Sequence, residues 1–377
     1  MPSTTPVLID ATAIPAELGG VGRYLEGLVT GLVDAGADFS LVARPEHASR
    51  FRTLAPGRRV LTSPAWTSRT PLRLLWEQLG LPLLARRVGA RLVHSPHYTR
   101  PLVRRGPRVV TLHDATFFSD PERHGALKRG FFSAWTRLAL RDRRTVCVVP
   151  SEATASELRR FVRGARAHVV VAHHGVDAAL FRPPTAAETE AARPLLDLAP
   201  GRPWIAFLGT IEPRKNVGVL IEAHHRLRDA DPDFPDLVIA GGRGWDDDAL
   251  ALLDARRPGD GLHEVGYLPL ETLPALLGGS EAVVYPSVAE GFGLPVLEAM
   301  ATGACVLTTR WTAIPEVGGD AVAYTDVSVD ALVESLRSLM DDEALRGRLG
   351  RAGRARAAEF TWRRTADRHL VAYEEAA

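Results

Sequence analysis

Short apolar runs recur along the chain, separated by longer stretches with apolar positions every three to four residues. "PVLID" (6–10), "FSLVAR" (39–44), "RLVHS" (91–95), "RVVTLHD" (108–114), "TVCVVPS" (145–151) and "HVVVAHHG" (168–175) read as buried parallel strands. Each is short, rich in β-branched residues and often stops at a polar residue or glycine. Helices are predicted between them, over 21–36, 71–89, 127–142 and 151–163. The alternation restarts with "PWIAFLGT" (203–210), "DLVIAGG" (236–242), "HEVGYLP" (263–269), "AVVYPS" (282–287), "CVLTT" (305–309) and "AVAYTD" (321–326). Two successive series of this kind predict an α/β protein with two doubly wound domains. Residues 182–203, "RPPTAAETEAARPLLDLAPGRP", read as the interdomain connection. The first domain is then 1–181 and the second 204–359, with 360–377 forming a last amphipathic helix. No solenoid-type repeat or low-complexity tail interrupts this organisation.

The 377 residues, 46% hydrophobic and 24% charged, supply two ordinary cores. A net charge of +1 conceals an asymmetry: residues 1–181 carry 26 basic and 14 acidic side chains, residues 182–377 carry 20 and 31. The basic first half predicts a surface for something anionic. The runs "RPLVRRGPR" (100–108) and "RLALRDRR" (137–144) suit an anionic membrane leaflet or a phosphate-bearing lipid carrier, as peripheral contact. No nucleic-acid-binding motif accompanies them. Cys147 and Cys305 lie in apolar runs and read as buried free thiols, consistent with a reducing cytoplasm. "MPSTTPVLID" lacks the basic and apolar regions of a signal peptide, so none is expected. No stretch reaches the ~20 apolar residues of a membrane span.

Ligands of doubly wound sheets bind beyond the carboxyl ends of the strands, and the chemically loaded motifs fall there. In "EGFGLPVLEAM" (290–300), Glu290 follows the strand 282–286, and Gly291 and Gly293 allow close backbone approach to a ligand. Pro295 suits a first helical turn, whose free N–H groups favour a phosphate. Glu298, expected in that first turn, suits the hydroxyl pair of a ribose. The plainer alternative is a loop and a capping acid. In "FLGTIEPRKNV" (207–217), Arg214 and Lys215 are placed to hold a diphosphate and stabilise it as a leaving group. Gly19, Gly20 and Gly22 open a helix without matching G-x-G-x-x-G. His113 ends an apolar strand. His173, His174, His224 and His225 lack metal-ligand spacing and read as structural. In "GWDDDAL" (244–250), Asp246 or Asp247 reads as a helix N-cap rather than a metal ligand.

"PSVAEGFGLPVLEAMATGACVL" resembles the Glu-x7-Glu motif of retaining nucleotide-sugar glycosyltransferases of the GT-B fold, and "GGVGRY" (19–24), "TLHD" (111–114), "VPSEATASEL" (149–158) and "GTIEPRKNV" (209–217) match in the family's order. "HSPHY" (94–98) is most similar to the bacterial mannosyltransferases among them. The resemblance covers most of the chain. It implies two Rossmann-like domains facing a cleft, an acceptor-binding N-terminal domain, a donor-binding C-terminal domain and a final helix crossing back. It implies retaining transfer of a hexose, with mannose from GDP-mannose favoured, to a glycan, glycolipid or small-molecule hydroxyl. Catalytic roles fall on His113, Arg214, Lys215 and Glu290. Donor contacts fall on Gly20, Gly22, Gly209, Arg214, Lys215, Gly266, Tyr267, Glu290, Gly291, Phe292, Gly293, Leu294 and Glu298, with Gly266 and Tyr267 beside the nucleobase. Tyr24, His97 and Asp114 are acceptor candidates. No cofactor and no metal are expected. Two other readings share the architecture: a non-hydrolysing sugar-nucleotide epimerase and a non-catalytic GT-B partner subunit.

Overall fold

The computed structural model describes residues 6–14, 19–104, 106–119, 125–257 and 259–377. The chain forms two compact units, Met1–Gly175 with Phe360–Ala377, and Val176–Glu359.

The first unit is a seven-stranded parallel sheet. Its strands are β1 (Val7–Asp10), β2 (Phe39–Ala43), β3 (Arg59–Thr62), β4 (Leu92–Ser95), β5 (Arg108–Thr111), β6 (Thr145–Val149) and β7 (His168–Val171). The order β3-β2-β1-β4-β5-β6-β7 reverses direction between β1 and β4. Six strands match apolar runs of the sequence. β3, "RVLT", is an edge strand with both ends exposed, so little apolar patterning marks it. The Gly20–Asp34 and Trp362–Ala376 helices cover one face, burying Leu25, Leu28, Leu32, Ala366 and Tyr373 with Ile9, Leu41 and Val109. Glycines permit this fit. A Cβ on Gly31 would lie 2.1 Å from the Trp362 carbonyl oxygen, and one on Gly27 would lie 2.0 Å from the Trp362 ring. The last helix is therefore part of the first unit.

The basic run 100–108 is less exposed than its composition suggests. Arg100 and Arg108 are buried, and their guanidinium groups lie 3.1 and 3.6 Å from the Asp142 carboxylate. Arg104 donates to the Ala90 and Arg91 carbonyls. Much of that charge braces the fold.

The second unit is a six-stranded parallel sheet of β8 (Trp204–Leu208), β9 (Asp236–Ala240), β10 (Leu262–Gly266), β11 (Ala282–Tyr285), β12 (Val306–Thr308) and β13 (Ala323–Tyr324). Its order is β10-β9-β8-β11-β12-β13, with the reversal between β8 and β11. The segment 182–203 is folded onto this unit. Thr185 and Glu188 form a capping box for the Ala186–Ala192 helix. Arg193 stacks over the Trp204 ring and donates to the Ala199 and Arg202 carbonyls. Cys147 and Cys305 are buried free thiols, and burial pushes their pKa values up to about 12 and about 11. Among the described residues no helix is long and apolar enough to cross a membrane.

Candidate active site

In the second unit the carboxyl ends of β8, β9 and β11 surround the switch point. β8 runs into Gly209, whose φ of +152° and missing Cβ matter: a Cβ there would lie 2.4 Å from Lys215 Nζ. Lys215 is buried, with its ammonium 5.8 Å from the Tyr285 ring centroid. The Pro213–Lys215 turn ends at Asn216 in the left-handed region, where a short polar side chain is tolerated.

Two loops are tied together here. Val288 N–H and Ser287 Oγ–H donate to the Arg214 carbonyl, and Arg214 Nη1–H donates to the Ala289 carbonyl at 2.9 Å. Arg214 Nε–H donates to Glu212 Oε2 at 2.9 Å, and Nη1 lies 2.6 Å from Glu290 Oε1. The same Oε1 accepts from Tyr285 Oη at 2.8 Å and Ser287 Oγ at 3.0 Å. Among the described residues no hydrogen bond engages Glu290 Oε2 or Arg214 Nη2. Burial pushes the Glu290 carboxyl up, but Arg214 and Lys215 outweigh it and hold it below its ordinary range. Glu290 is thus an oriented anion with one oxygen committed to the protein.

Gly291–Gly293 then leads into the Leu294–Ala301 helix. Gly293 is its N-cap at φ +98°, and a Cβ there would meet Ile314 Cδ1 at 2.7 Å. Pro295 sits in the first turn. Glu298 does not, because the helix starts at Leu294 and puts it one turn further in, buried along with Leu297 and Ala299. Its role as a first-turn acid is corrected accordingly. Phe292 and Leu294 are buried. At the end of β10, Gly266 has φ +65° and Tyr267 is exposed. A Cβ on Gly242 would lie 2.6 Å from Tyr267 Oη, so the ring rests against the glycine end of β9. Asp246 Oδ1 accepts from Ala249 N–H at 3.2 Å and caps the Asp247–Asp254 helix.

In the first unit Gly20 and Gly22 lie in the opening turn of the Gly20–Asp34 helix, with Gly19 as N-cap. His113 lies two residues beyond β5. Its Nε2–H donates to the Pro96 carbonyl at 2.7 Å, so Nδ1 is the acceptor of the neutral ring. Burial lowers its pKa, against the Pro96 carbonyl and Asp114, which raise it. His97 packs 5.8 Å from His113, and burial lowers its pKa to about 3. Asp114 Oδ1 accepts from Thr116 N–H and Oγ–H, closing a turn.

Tyr24 is buried, and its hydroxyl is bonded to Thr111 Oγ1 at 2.8 Å and His369 Nε2 at 2.9 Å. An acceptor contact by this hydroxyl does not survive that placement. Tyr24 belongs to a chain whose proton directions can be worked out. His369 Nδ1–H donates to the Thr365 carbonyl, so neutral His369 accepts from Tyr24 at Nε2. Tyr24 then accepts from Thr111, Thr111 from His94 Nε2–H, and His94 Nδ1 from Tyr373. Every group is satisfied once.

Residues 188–356 match the family described as glycosyl transferases group 1, and residues 18–180 match glycosyltransferase family 4. The chain belongs to the group 1 glycosyltransferases. Its fold is GT-B. O-antigen chain mannosyltransferase B of Escherichia coli is 29% identical to this glycosyltransferase over 98% of the chain and 99% of the relative. D-inositol 3-phosphate glycosyltransferase of Arthrobacter sp. (strain FB24) is 33% identical over 63% of the chain, which spans 58% of that relative. Among solved structures, Anabaena Alr3699/HepE in complex with UDP and glucose is similar with a TM-score of 0.76 at 16% identity, covering 99% of this chain and 100% of the other.

Sequence reasoning missed several neighbours of Glu290 in this glycosyltransferase. Glu212 shares Arg214, and Tyr285 and Ser287 share Oε1. Thr312 Oγ1 accepts from Glu290 N–H at 2.8 Å across 22 positions. Only the adjacency of Glu212 to "PRK" and of Tyr285 and Ser287 to the strand end was visible beforehand.

Proposed function

We propose that this glycosyltransferase moves a hexosyl group from a nucleotide-sugar to an acceptor hydroxyl with retention of anomeric configuration. The observation that carries the reading is the state of Glu290: an ionised carboxylate at the end of β11, with Oε1 held by Tyr285, Ser287 and Arg214. A carboxylate so held suits orienting sugar hydroxyls through Oε2 rather than attacking a carbon. Arg214 Nη2, Lys215 and the start of the Leu294–Ala301 helix after Gly291–Gly293 serve the diphosphate. These charges neutralise the leaving group, so no metal is required for departure. Gly209 leaves room for Lys215, Glu298 serves the ribose, and Tyr267 with Gly266 borders the nucleobase. In the first unit, neutral His113 offers Nδ1 to a sugar hydroxyl, Gly20 and Gly22 bring backbone near the donor phosphate or acceptor, and His97 and Asp114 are the acceptor candidates. The departing phosphate oxygen takes the acceptor proton on the face from which it leaves.

Mannose from GDP-mannose is the favoured donor, supported by similarity to an O-antigen mannosyltransferase over the full chain. Incubation with a panel of nucleotide-sugars, read by mass spectrometry, tests it. Transfer or slow hydrolysis of GDP-mannose is expected. Epimerised donor, or binding with neither transfer nor hydrolysis, would overturn the transferase reading. Turnover of UDP-glucose alone would overturn only the donor.

A further inference from the structure

The Thr70–Arg87 helix of the first unit is divided in an unusual way. Its inner side buries Trp76, Leu81 and Ala85 with Leu8, Val42 and Val93 of the sheet. Its outer side carries Leu75, Leu79 and Leu83, each about half exposed and spaced four residues apart. That spacing makes a continuous leucine ridge about 12 Å long. The ridge is extended sideways: Leu102 N–H donates to Gln78 Oε1 at 2.8 Å, which holds the loop bearing exposed Leu102 and Val103 alongside the helix. Scattered exposed leucines are ordinary, but a contiguous group of this size is not.

Charge sets this face apart from an ordinary exposed helix. Glu77, the one acid between residues 65 and 91, points inward, with Arg73 Nη1 at 2.8 Å from its Oε2. Exposed Arg69 precedes the ridge, and exposed Arg86, Arg87 and Arg91 follow it. Trp66, just before the helix, is exposed as well. Leucines for an acyl layer, arginines without acids for anionic headgroups, and an interfacial tryptophan are the chemistry of a helix lying in a membrane surface.

We propose that the Thr70–Arg87 helix, with the loop carrying Leu102 and Val103, docks this protein on an anionic lipid bilayer. The runs 100–108 and 137–144 are poorer candidates, since Arg100, Arg104 and Arg108 are spent on internal bonds. The docking helix also abuts the acceptor-side loop. Thr99 Oγ–H donates to Glu77 Oε2 at 2.6 Å, two residues after His97. A lipid-linked acceptor would enter next to it; that last step alone rests on the acceptor reading of His97.

The test is co-sedimentation of the full chain with vesicles of phosphatidylcholine alone and of phosphatidylcholine with phosphatidylglycerol at roughly two to one. Binding to the mixed vesicles, weakening with salt, is expected. It should fall at least about tenfold in the triple variant Leu75→Ser, Leu79→Ser, Leu83→Ser and in the double variant Arg86→Glu, Arg87→Glu. Both variants should unfold at the wild-type temperature, since the replaced side chains are exposed. Should the triple variant not fold, Leu79→Ser alone and the arginine pair decide. No vesicle binding, equal binding to both vesicles, or binding untouched by the variants overturns the proposal. So does a wild-type dimer that the serine variants dissociate, because the face then belongs to a second copy. Vesicle binding is read without turnover, so its failure leaves the transfer reaction standing.

Discussion

Arg214 Nη1 lies 2.6 Å from Glu290 Oε1, while Arg214 Nε–H is committed to Glu212. One guanidinium is thus clamped between two carboxylates and presents its remaining edge at the end of β8. Removing Glu290's charge therefore does two things. It takes away the anion proposed to orient the sugar, and it leaves Arg214 less compensated. Glu290→Gln should lower kcat on the order of a hundredfold, the usual cost of losing one preorganised polar contact to the transition state. Affinity for the free nucleoside diphosphate should hold or improve. Steady-state kinetics with a calorimetric titration separate the two quantities, and a parallel loss in both would refute this division.

Gly209 and Lys215 make a steric pair. A methyl group on Gly209 would displace an ammonium 2.4 Å away, and the positive φ disfavours any side chain. Gly209→Ala should resemble Lys215→Ala in weakening diphosphate binding by ~1–3 kcal/mol, without any charge being removed. Calorimetry on both variants checks this, and wild-type affinity in Gly209→Ala would show that Lys215 does not act from its observed position.

Turnover should survive EDTA. Arg214, Lys215 and the helix start at Leu294 supply the positive charge that a metal would otherwise bring. Loss of activity on chelation, restored by magnesium or manganese, would overturn this and reopen the acidic run at Asp246–Asp248.

What was readable beforehand follows from range of interaction. Buried parallel strands are locally apolar on both faces, so twelve of thirteen were visible, and edge strand β3 was not. The Glu290 and Arg214–Lys215 motifs were visible because their residue types are unusual at strand ends. Their mutual clamp was not, since it joins positions 76 apart. Tyr24 misled for a related reason: its neighbours in sequence lie at a glycine-rich helix start, but its hydroxyl partner His369 is 345 positions away. The basic composition of 100–108 was legible, yet its internal pairing with Asp142 was not. Glu298 missed its expected turn because Gly293, not a later residue, caps the helix.

Gly31 should resist replacement. Alanine is the better helix former by about 0.5–1 kcal/mol, but its methyl would sit 2.1 Å from a backbone carbonyl that cannot rotate away. Overpacking of this kind costs about 1–3 kcal/mol, so the clash wins and Gly31→Ala should lower the unfolding temperature. The same change at Gly19 or Gly20, where a Cβ meets nothing within 4 Å, should be harmless by this measure. Thermal unfolding of the three variants ranks them directly.

The buried chain Tyr373–His94–Thr111–Tyr24–His369 makes stability depend on acidity in a predictable window. Each histidine in it is satisfied only when neutral. Burial is the main cause of the lowered pKa values, to about 4 for His369 and well below 6.5 for His94 and the adjoining His174. A group whose folded pKa lies below its unfolded value binds more protons when unfolded, so stability rises with pH across the gap. For His369 that contribution is intact above 6.5 and is lost as pH falls toward about 4. His263 in the second unit has the opposite sign: Asp236 first, then Asp197, raises its pKa against burial, so it favours folding at lower pH. The first unit has several lowered histidines against this one, so the protein should lose stability between about pH 6.5 and 4.5, before its paired carboxylates begin to titrate. His369→Gln can still accept from Tyr24 but cannot take up a proton. It should be somewhat less stable at neutral pH and should show a shallower slope in this window. An unfolding temperature measured against pH that falls equally steeply in wild type and His369→Gln would remove this histidine from the account.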